Sequence, residues 1–470
     1  MHPQLNKDLK GLSDILSKIK EQSTKYIEQI GSRPTTIDKP SLDFEANKLP
    51  AQGQGADRAL AIFNQRYEHL MVSSSGPRYW GYVTGGTTPA AIAGDWLSSV
   101  YDQNTQSTEG QGDISAIIER DTIAMMCQLF HLPQDIFLGG FVTGATMSSF
   151  TCLGVARQWH GRQIDQDIAK AGVTDKINVL SATPHSSAVK ALSMLGIGSA
   201  NIIKVATLPS PREAIDIVDL EAKLQSLDGA PAIIIASGGT VNTVDFDDLK
   251  AIVALKEKYN FWLHVDAAFG GFAACSDRYR HLLAGWESAD SITVDCHKWL
   301  NVPYDSAIFL VRHEHNLHQV ETYQNSNAPY LGDPLEQFNY LNFLPENSRR
   351  MRALPAWFSL QAYGTEGYAE IVDRCIDLAQ YLGQLIDDSK YLMQIAPAHL
   401  NNLCFSLRDT QEPDDVRRFL HQLNATGQVF MTPTVFHGVA GIRCSLVNWM
   451  TTKEDVDLVF DLMEEVAAGI

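Results

Sequence analysis

The chain of 470 residues carries 37 Lys+Arg against 55 Asp+Glu, a formal net charge of −18, which argues against nucleic acid or an anionic membrane as the main partner, since phosphate-rich surfaces are bound by clustered cations. Hydrophobic residues make up 45% and charged residues 20%, the balance of a globular protein with a sizeable core, and no stretch approaches the ~18 apolar residues of a membrane span. Seven scattered cysteines without a C-x-x-C pair suit reduced thiols in a cytosol better than a disulfide framework or a zinc site.

In chain order, residues 1–60 are polar and amphipathic, with a turn-rich patch at 34–50 and a Gly/Gln loop at 52–55. Such a segment is expected to be an arm packed on another lobe or subunit. Residues 1–21 lack the apolar centre of a secretory signal, so a cytoplasmic location is expected. The stretch Gly139-Gly140-Phe141-Val142-Thr143-Gly144-Ala145-Thr146 reads as a glycine-rich turn opening a helix near Met147. Strands are then predicted at 178–181, 202–205, 232–236, 261–265, 291–294 and 307–311, with helices at 149–162, 186–195, 220–227 and 247–258. Short apolar strands alternating with helices predict an α/β fold with a mainly parallel sheet covered on both faces. From about Leu354 onward, amphipathic helices (368–389, 414–423, 453–466) surround short strands (402–407, 441–446), the pattern of a smaller α+β lobe. The expected organisation is an N-terminal segment over 1–95, a large domain over 96–350 and a small domain over 351–470.

In an open α/β sheet, ligands sit beyond the carboxyl ends of the strands. At those exits the sequence places Asp266 after Phe261-Trp262-Leu263-His264-Val265, and Asp295-Cys296-His297-Lys298-Trp299 after Ser291-Ile292-Thr293-Val294. His185 follows Thr183-Pro184 and starts a helix. Singly each has an ordinary reading: a solvated lysine, a turn-forming aspartate, a polar residue at a helix start. The glycine-rich stretch matches neither the dinucleotide fingerprint nor the phosphate loop that ends in Gly-Lys. Co-occurrence in the order phosphate turn, His185, Asp266, Lys298 changes the reading. An imine-forming lysine, an acid for a pyridine nitrogen, a flat ring to stack on it and a phosphate cup together describe a pocket for pyridoxal phosphate.

Trp262-Leu263-His264-Val265-Asp266-Ala267-Ala268, His297-Lys298-Trp299-Leu300, and the run from Ser291 to Ser306 resemble the pyridoxal-phosphate amino-acid decarboxylases of the aromatic-amino-acid and glutamate decarboxylase group. So do Thr84-Gly85-Gly86-Thr87-Thr88-Pro89 with Gly94-Asp95-Trp96-Leu97, Ser348-Arg349-Arg350-Met351-Arg352, and Gly441-Ile442-Arg443. The resemblance implies an aspartate-aminotransferase-like fold (fold type I), a homodimer, pyridoxal 5'-phosphate as cofactor, and decarboxylation of an L-amino acid to its amine. It further implies Lys298 as the lysine that carries the cofactor, Asp266 as partner of the ring nitrogen and His185 as the stacking ring. Ala145, Thr146 and His297 would surround the phosphate. An aminotransferase or carbon–carbon lyase of the same fold, or a catalytically silent relative serving as an interaction subunit, are the alternatives.

Two departures from the family pattern stand out. Asp295 occupies the place where the aromatic decarboxylases have Asn, and a carboxylate there must point away from a phosphate or pair with a cation. Val241 occupies the place of a Thr near the ring hydroxyl, leaving Thr240 or Asn242 to substitute. For the substrate, Thr84, Thr105 and Ser107 align with side-chain contacts, and their hydroxyls favour a small or polar side chain over an indole; Thr105 and Ser107 read equally well as a subunit-interface loop. Arg443 either binds a substrate carboxylate or pairs with an acid in the small lobe. Finally, 323–345 is a long Pro- and Asn-rich connection without periodicity, the pattern of an active-site lid. The resemblance aligns Tyr330 with a tyrosine that protonates the substrate carbon after carbon dioxide leaves, with Tyr323 and Tyr340 as nearby competitors for the role.

Overall fold

The computed structural model describes residues 1–37, 49–107, 114–324 and 338–470. Its large sheet has seven strands, β1 (Phe137–Val142), β2 (Asn178–Ser181), β3 (Ile202–Lys204), β4 (Ala232–Ser237), β5 (Phe261–Asp266), β6 (Ser291–Val294) and β7 (Ala307–Arg312). Their order across the sheet is β1-β7-β6-β5-β4-β2-β3. Every pair from β3 to β6 is parallel, and only β7 runs against its neighbours. The six predicted strands are all present, each end within one residue of the expected position.

Why these strands read as unbroken apolar runs follows from the two cores. Ile234 and Ala236 of β4, with Leu263 and Val265 of β5, pack into one core, while Ile233, Ile235 and Trp262 pack into the other. Side chains alternate across a strand, so burial on both faces removes the polar alternation of a half-exposed sheet. Helices such as Ala145–Gln163 and Ser186–Met194 supply the covering layers.

The glycine-rich stretch corrects one expectation. Gly139 and Gly140 lie in β1, paired with Leu310 and Phe309 of β7, and the turn is confined to Thr143 and Gly144 before the helix that starts at Ala145. Space, not a turn, selects glycine here. A Cβ on Gly139 would stand 2.8 Å from the Phe309 carbonyl oxygen, and one on Gly140 would stand 2.9 Å from the Tyr340 ring.

The small lobe carries a four-stranded antiparallel sheet of β8 (Leu392–Ala396), β9 (Asn402–Leu407), β10 (Thr432–Phe436) and β11 (Val439–Ser445), in the order β10-β11-β9-β8. The sequence missed β8 and β10 because both are edge strands with partly exposed residues, and β10 holds Pro433. Helix Ala353–Asp388, interrupted at Gly364 (φ 57), runs from the large sheet to this lobe. There it joins Pro413–Ala425 and Lys453–Ala467 around a third core. The N-terminal helices Pro3–Lys10, Leu12–Glu28 and Ala56–Arg66 bury no residue fully. Among the described residues no helix is long and apolar enough to cross a membrane.

Candidate active site

The carboxyl ends of β2, β4, β5 and β6 open on one rim of the sheet, and the segments leaving them enclose a cavity of about 260 Å³. His185, Thr240, Asp266 and Lys298 line it from the large sheet, Tyr82 from the N-terminal segment and Arg443 from β11. Residues separated by more than 350 positions in sequence thus share one wall, because β11 brings the small lobe against the loop after β4. That contact is explicit: the Val241 carbonyl accepts from Arg443 Nη1 at 3.1 Å and from Asn402 Nδ2 at 3.0 Å.

Asp266 is the last residue of β5. Its Oδ1 accepts from the Ala268 N–H at 3.2 Å, whereas its Oδ2 is buried without a hydrogen-bond partner. An unmatched carboxylate oxygen in a cavity wall is costly unless a ligand donor or cation meets it. His185 caps the helix Ser186–Met194, with Nδ1 accepting from the Ser187 N–H at 3.2 Å. Its ring is open to the cavity, and the protein packed around it pushes the imidazole below the ordinary value, opposed by Asp266 and reinforced by Lys298 and Arg443. Arg443 is likewise shifted down by burial, and its Nε has no partner.

Lys298 stands in the one-turn helix Cys296–Trp299 after β6. Its Nζ lies 3.2 Å from Asp295 Oδ2 and 5.4 Å from the centre of the Phe269 ring. Asp295 therefore pairs with a cation. His297, in the same turn, is covered by the Tyr304 ring at 4.2 Å. Gly85 fits against this turn so closely that a Cβ would come 1.8 Å from the Lys298 carbonyl oxygen. Ahead of it, Tyr82 and Val83 both hold positive φ, 58 and 57, backbone strain of a kind that concentrates at functional sites.

The other expected residues divide. Ala145, Thr146 and His297 do not line the cavity itself; the Ala145 N–H donates to Asp295 Oδ1 at 3.0 Å, and Thr146 follows it in the same helix. Thr84 is buried next to the Lys298 turn and accepts from the Tyr304 hydroxyl at 3.4 Å. Thr240 lines the cavity, but its hydroxyl donates to Glu213 Oε2 at 2.7 Å. Asn242 faces the small lobe, where its Oδ1 accepts from the Thr434 hydroxyl at 2.8 Å. Thr105 and Ser107 do not line this cavity within one chain; Thr105 is fully buried, with its N–H on the Arg349 carbonyl. Tyr330 lies outside the described residues. Its two competitors are occupied elsewhere: the Tyr323 hydroxyl donates to the Thr151 carbonyl at 2.8 Å, and the Tyr340 hydroxyl to the Gly139 carbonyl at 3.1 Å. Glu213, which anchors the loop of Thr240 and Thr243, gave no signal in the sequence because only the fold brings it there.

These residues fit pyridoxal phosphate. Asp266 presents an unmatched carboxylate oxygen for a protonated ring nitrogen, Lys298 an amine for an aldehyde, and the Ala145 N–H, His297 and Lys298 a set of anion donors. Fold and site together define an α/β enzyme of the aspartate-aminotransferase type that uses this cofactor. The family described as "Pyridoxal-dependent decarboxylase conserved domain" matches residues 47–408. An aromatic-L-amino-acid decarboxylase of Bacillus atrophaeus is 27% identical, covering 92% of this chain and 90% of its own. An L-2,4-diaminobutyrate decarboxylase of Rhizobium meliloti is also 27% identical, covering 90% and 84%. In structure, the Oryza sativa TDC crystallised with PLP and tryptamine superposes with a TM-score of 0.88 over 98% of both chains at 22% identity, a likeness of fold. The chain belongs to the pyridoxal-dependent decarboxylase family, and its reaction is the pyridoxal-phosphate-dependent decarboxylation of an amino acid.

Proposed function

We propose that the substrate is an L-amino acid with a small or polar side chain, and that Lys298, Asp266 and His185 carry the reaction in the cavity between the two lobes. The observation that supports this most directly is the convergence across about 260 Å³ of a lysine amine, a buried aspartate oxygen without a partner and a half-buried arginine. The chemistry that pyridoxal phosphate supplies when bound is an aldehyde for the substrate amine and a sink for the electron pair of the breaking Cα–carboxylate bond. Lys298 Nζ anchors it and, once released, is an amine placed to move protons. The Asp266 carboxylate stabilises positive charge on the ring nitrogen. His185, whose imidazole is shifted toward its neutral form, offers a flat face to the ring. Ala145, Thr146 and His297 would hold the phosphate, and Thr240 or Asn242 would have to leave Glu213 or Thr434 to meet the ring hydroxyl. Arg443 offers a guanidinium fork to a substrate carboxylate.

A compact side chain suits a cavity whose wall includes Tyr82, Val83 and Arg443, with Thr84 adjoining. On a panel of amino acids, kcat/KM for glutamate, aspartate or 2,4-diaminobutyrate is expected to exceed that for tryptophan by at least about tenfold, the scale of a few pocket contacts. The reverse order would overturn the substrate reading.

We further propose a homodimer in the cytoplasm, with the chain divided near residues 95 and 350. Leu5, Leu9, Leu12 and Leu16 of the N-terminal helices are 64, 59, 46 and 36% exposed, an apolar strip that favours a second copy as its cover. A second copy is also the route by which Thr105 and Ser107 would reach a substrate. All seven cysteines are free and buried, which supports a reducing compartment. Light scattering should give twice the chain's 51.9 kDa; a single-chain mass would contradict the dimer.

Tyr330 is proposed as the proton donor to the substrate carbon, a reading supported by the commitment of Tyr323 and Tyr340 to backbone carbonyls. A phenol donates a proton while staying neutral at working pH. Tyr330→Phe should still release carbon dioxide while amine formation falls by about 10²-fold, the scale of a lost general acid. Amine matching carbon dioxide at the parental rate would remove Tyr330 from the mechanism.

A further inference from the structure

Between the exit of β6 and the start of helix Ala145–Gln163, three donors converge on one carboxylate. Asp295 is 3% exposed. Its Oδ1 accepts from the Ala145 N–H at 3.0 Å and lies 3.3 Å from His297 Nε2, and its Oδ2 lies 3.2 Å from Lys298 Nζ. The Ser306 N–H donates to His297 Nδ1 at 3.3 Å, which assigns the ring proton to Nε2, facing Asp295. The first backbone N–H of a 19-residue helix, an imidazole N–H and an ammonium form the donor set that a phosphate monoester requires. In this chain an acidic side chain already fills it.

We infer that Asp295 is an internal competitor for the cofactor phosphate: it holds the anion donors of the cofactor-free protein, and the phosphate seats on them only as the pair of anions takes up a proton. The inference rests on the reading of this cavity as a pyridoxal-phosphate site. Two anions that share one set of donors cannot both stay fully charged. A phosphate monoester loses its second proton near pH ~6, so seating it beside Asp295 at neutral pH draws a proton from solvent, and affinity falls as pH rises.

The other titratable or charged groups facing this cluster are His185, Asp266, Arg443, Cys296 and Asp305. Burial holds both imidazoles, His185 and His297, below their ordinary value, and burial raises the Cys296 thiol, with Asp295 adding to that rise. None of these three changes charge between pH 7 and 8; the ring nitrogen of the ligand also titrates, but pyridoxamine carries it too, so a pH dependence specific to the phosphorylated ligand belongs to the carboxylate–phosphate pair.

The test uses pyridoxamine 5'-phosphate, which carries ring and phosphate but no aldehyde, so Lys298 chemistry does not enter. Its affinity for the full chain freed of cofactor is read by tryptophan fluorescence, for the parent and for Asp295→Asn, with unphosphorylated pyridoxamine alongside. Asparagine keeps the acceptor for the Ala145 N–H and removes the charge. Asp295→Asn should bind the phosphorylated ligand at least about tenfold more tightly at pH 8 and pyridoxamine no more tightly. Relative to pyridoxamine, the parent's affinity for the phosphorylated ligand should fall between pH 7 and 8 by up to about tenfold, the limit for one linked proton. Equal or weaker binding by the variant, a parental affinity that does not fall with pH relative to pyridoxamine, or an equal gain with pyridoxamine would each overturn the inference while leaving the cofactor assignment intact. Failure of the parent to bind pyridoxamine 5'-phosphate at all would overturn both.

Discussion

Lys298→Ala is expected to lower turnover by at least about 10³-fold, because it removes both a covalent anchor and a proton-moving amine, each worth on the order of 10²–10⁴. Among the described residues no other primary amine lines the cavity, so none of them can replace Nζ. The fold should survive. Lys298 is held by a backbone turn and by the neighbouring Trp299, which is fully buried in the larger core, while its own Nζ contributes the pair with Asp295 and the contact with the Phe269 ring. The checks are carbon dioxide release, the absorbance of lysine-bound cofactor, and thermal unfolding of the cofactor-free chain. Normal turnover in this variant would remove Lys298 from the chemistry.

Asp266→Asn should lower kcat by about 10²–10³-fold, the usual loss when one preorganised electrostatic partner is removed from a water-poor site. Asparagine preserves the shape and the acceptor for the Ala268 N–H, so the change isolates the charge. The unfolding midpoint of the cofactor-free protein should hold or rise, since Oδ2 has no partner whose loss would cost stability. A parental kcat would make Asp266 a structural residue. A collapse of the fold with normal specific activity in the surviving fraction would lead to the same conclusion.

The parallel core of the sheet was legible because β4, β5 and β6 are buried on both faces, and such burial leaves short apolar runs bounded by polar exits. The same exits made His185, Asp266 and Lys298 legible, since Asp266 ends β5, Lys298 stands in the turn after β6 and His185 caps the next helix. β1 was hidden by its own packing: Gly139 and Gly140 are required by the closeness of Phe309, Leu310 and Tyr340, and glycine in sequence reads as a turn. The pairing of Asp295 with Lys298 and His297 was one of two readings the sequence allowed, and only the fold selects it. The commitment of Thr240 to Glu213 and of Asn242 to Thr434 was out of reach, because each contact joins segments that meet only in three dimensions. Thr105 and Ser107 lie away from the cavity of their own chain for the same reason.

The central claim is that this cavity, loaded with pyridoxal phosphate, removes the carboxylate of an amino acid. Its most direct test is the product stoichiometry of the loaded enzyme on a panel of L-amino acids, with carbon dioxide, amine and keto acid measured together. The account predicts that at least one amino acid of the panel yields carbon dioxide and amine in a one-to-one ratio, with no keto acid, and that Lys298→Ala yields neither. Keto acid accumulating without carbon dioxide, or carbon dioxide released undiminished by Lys298→Ala, would contradict it.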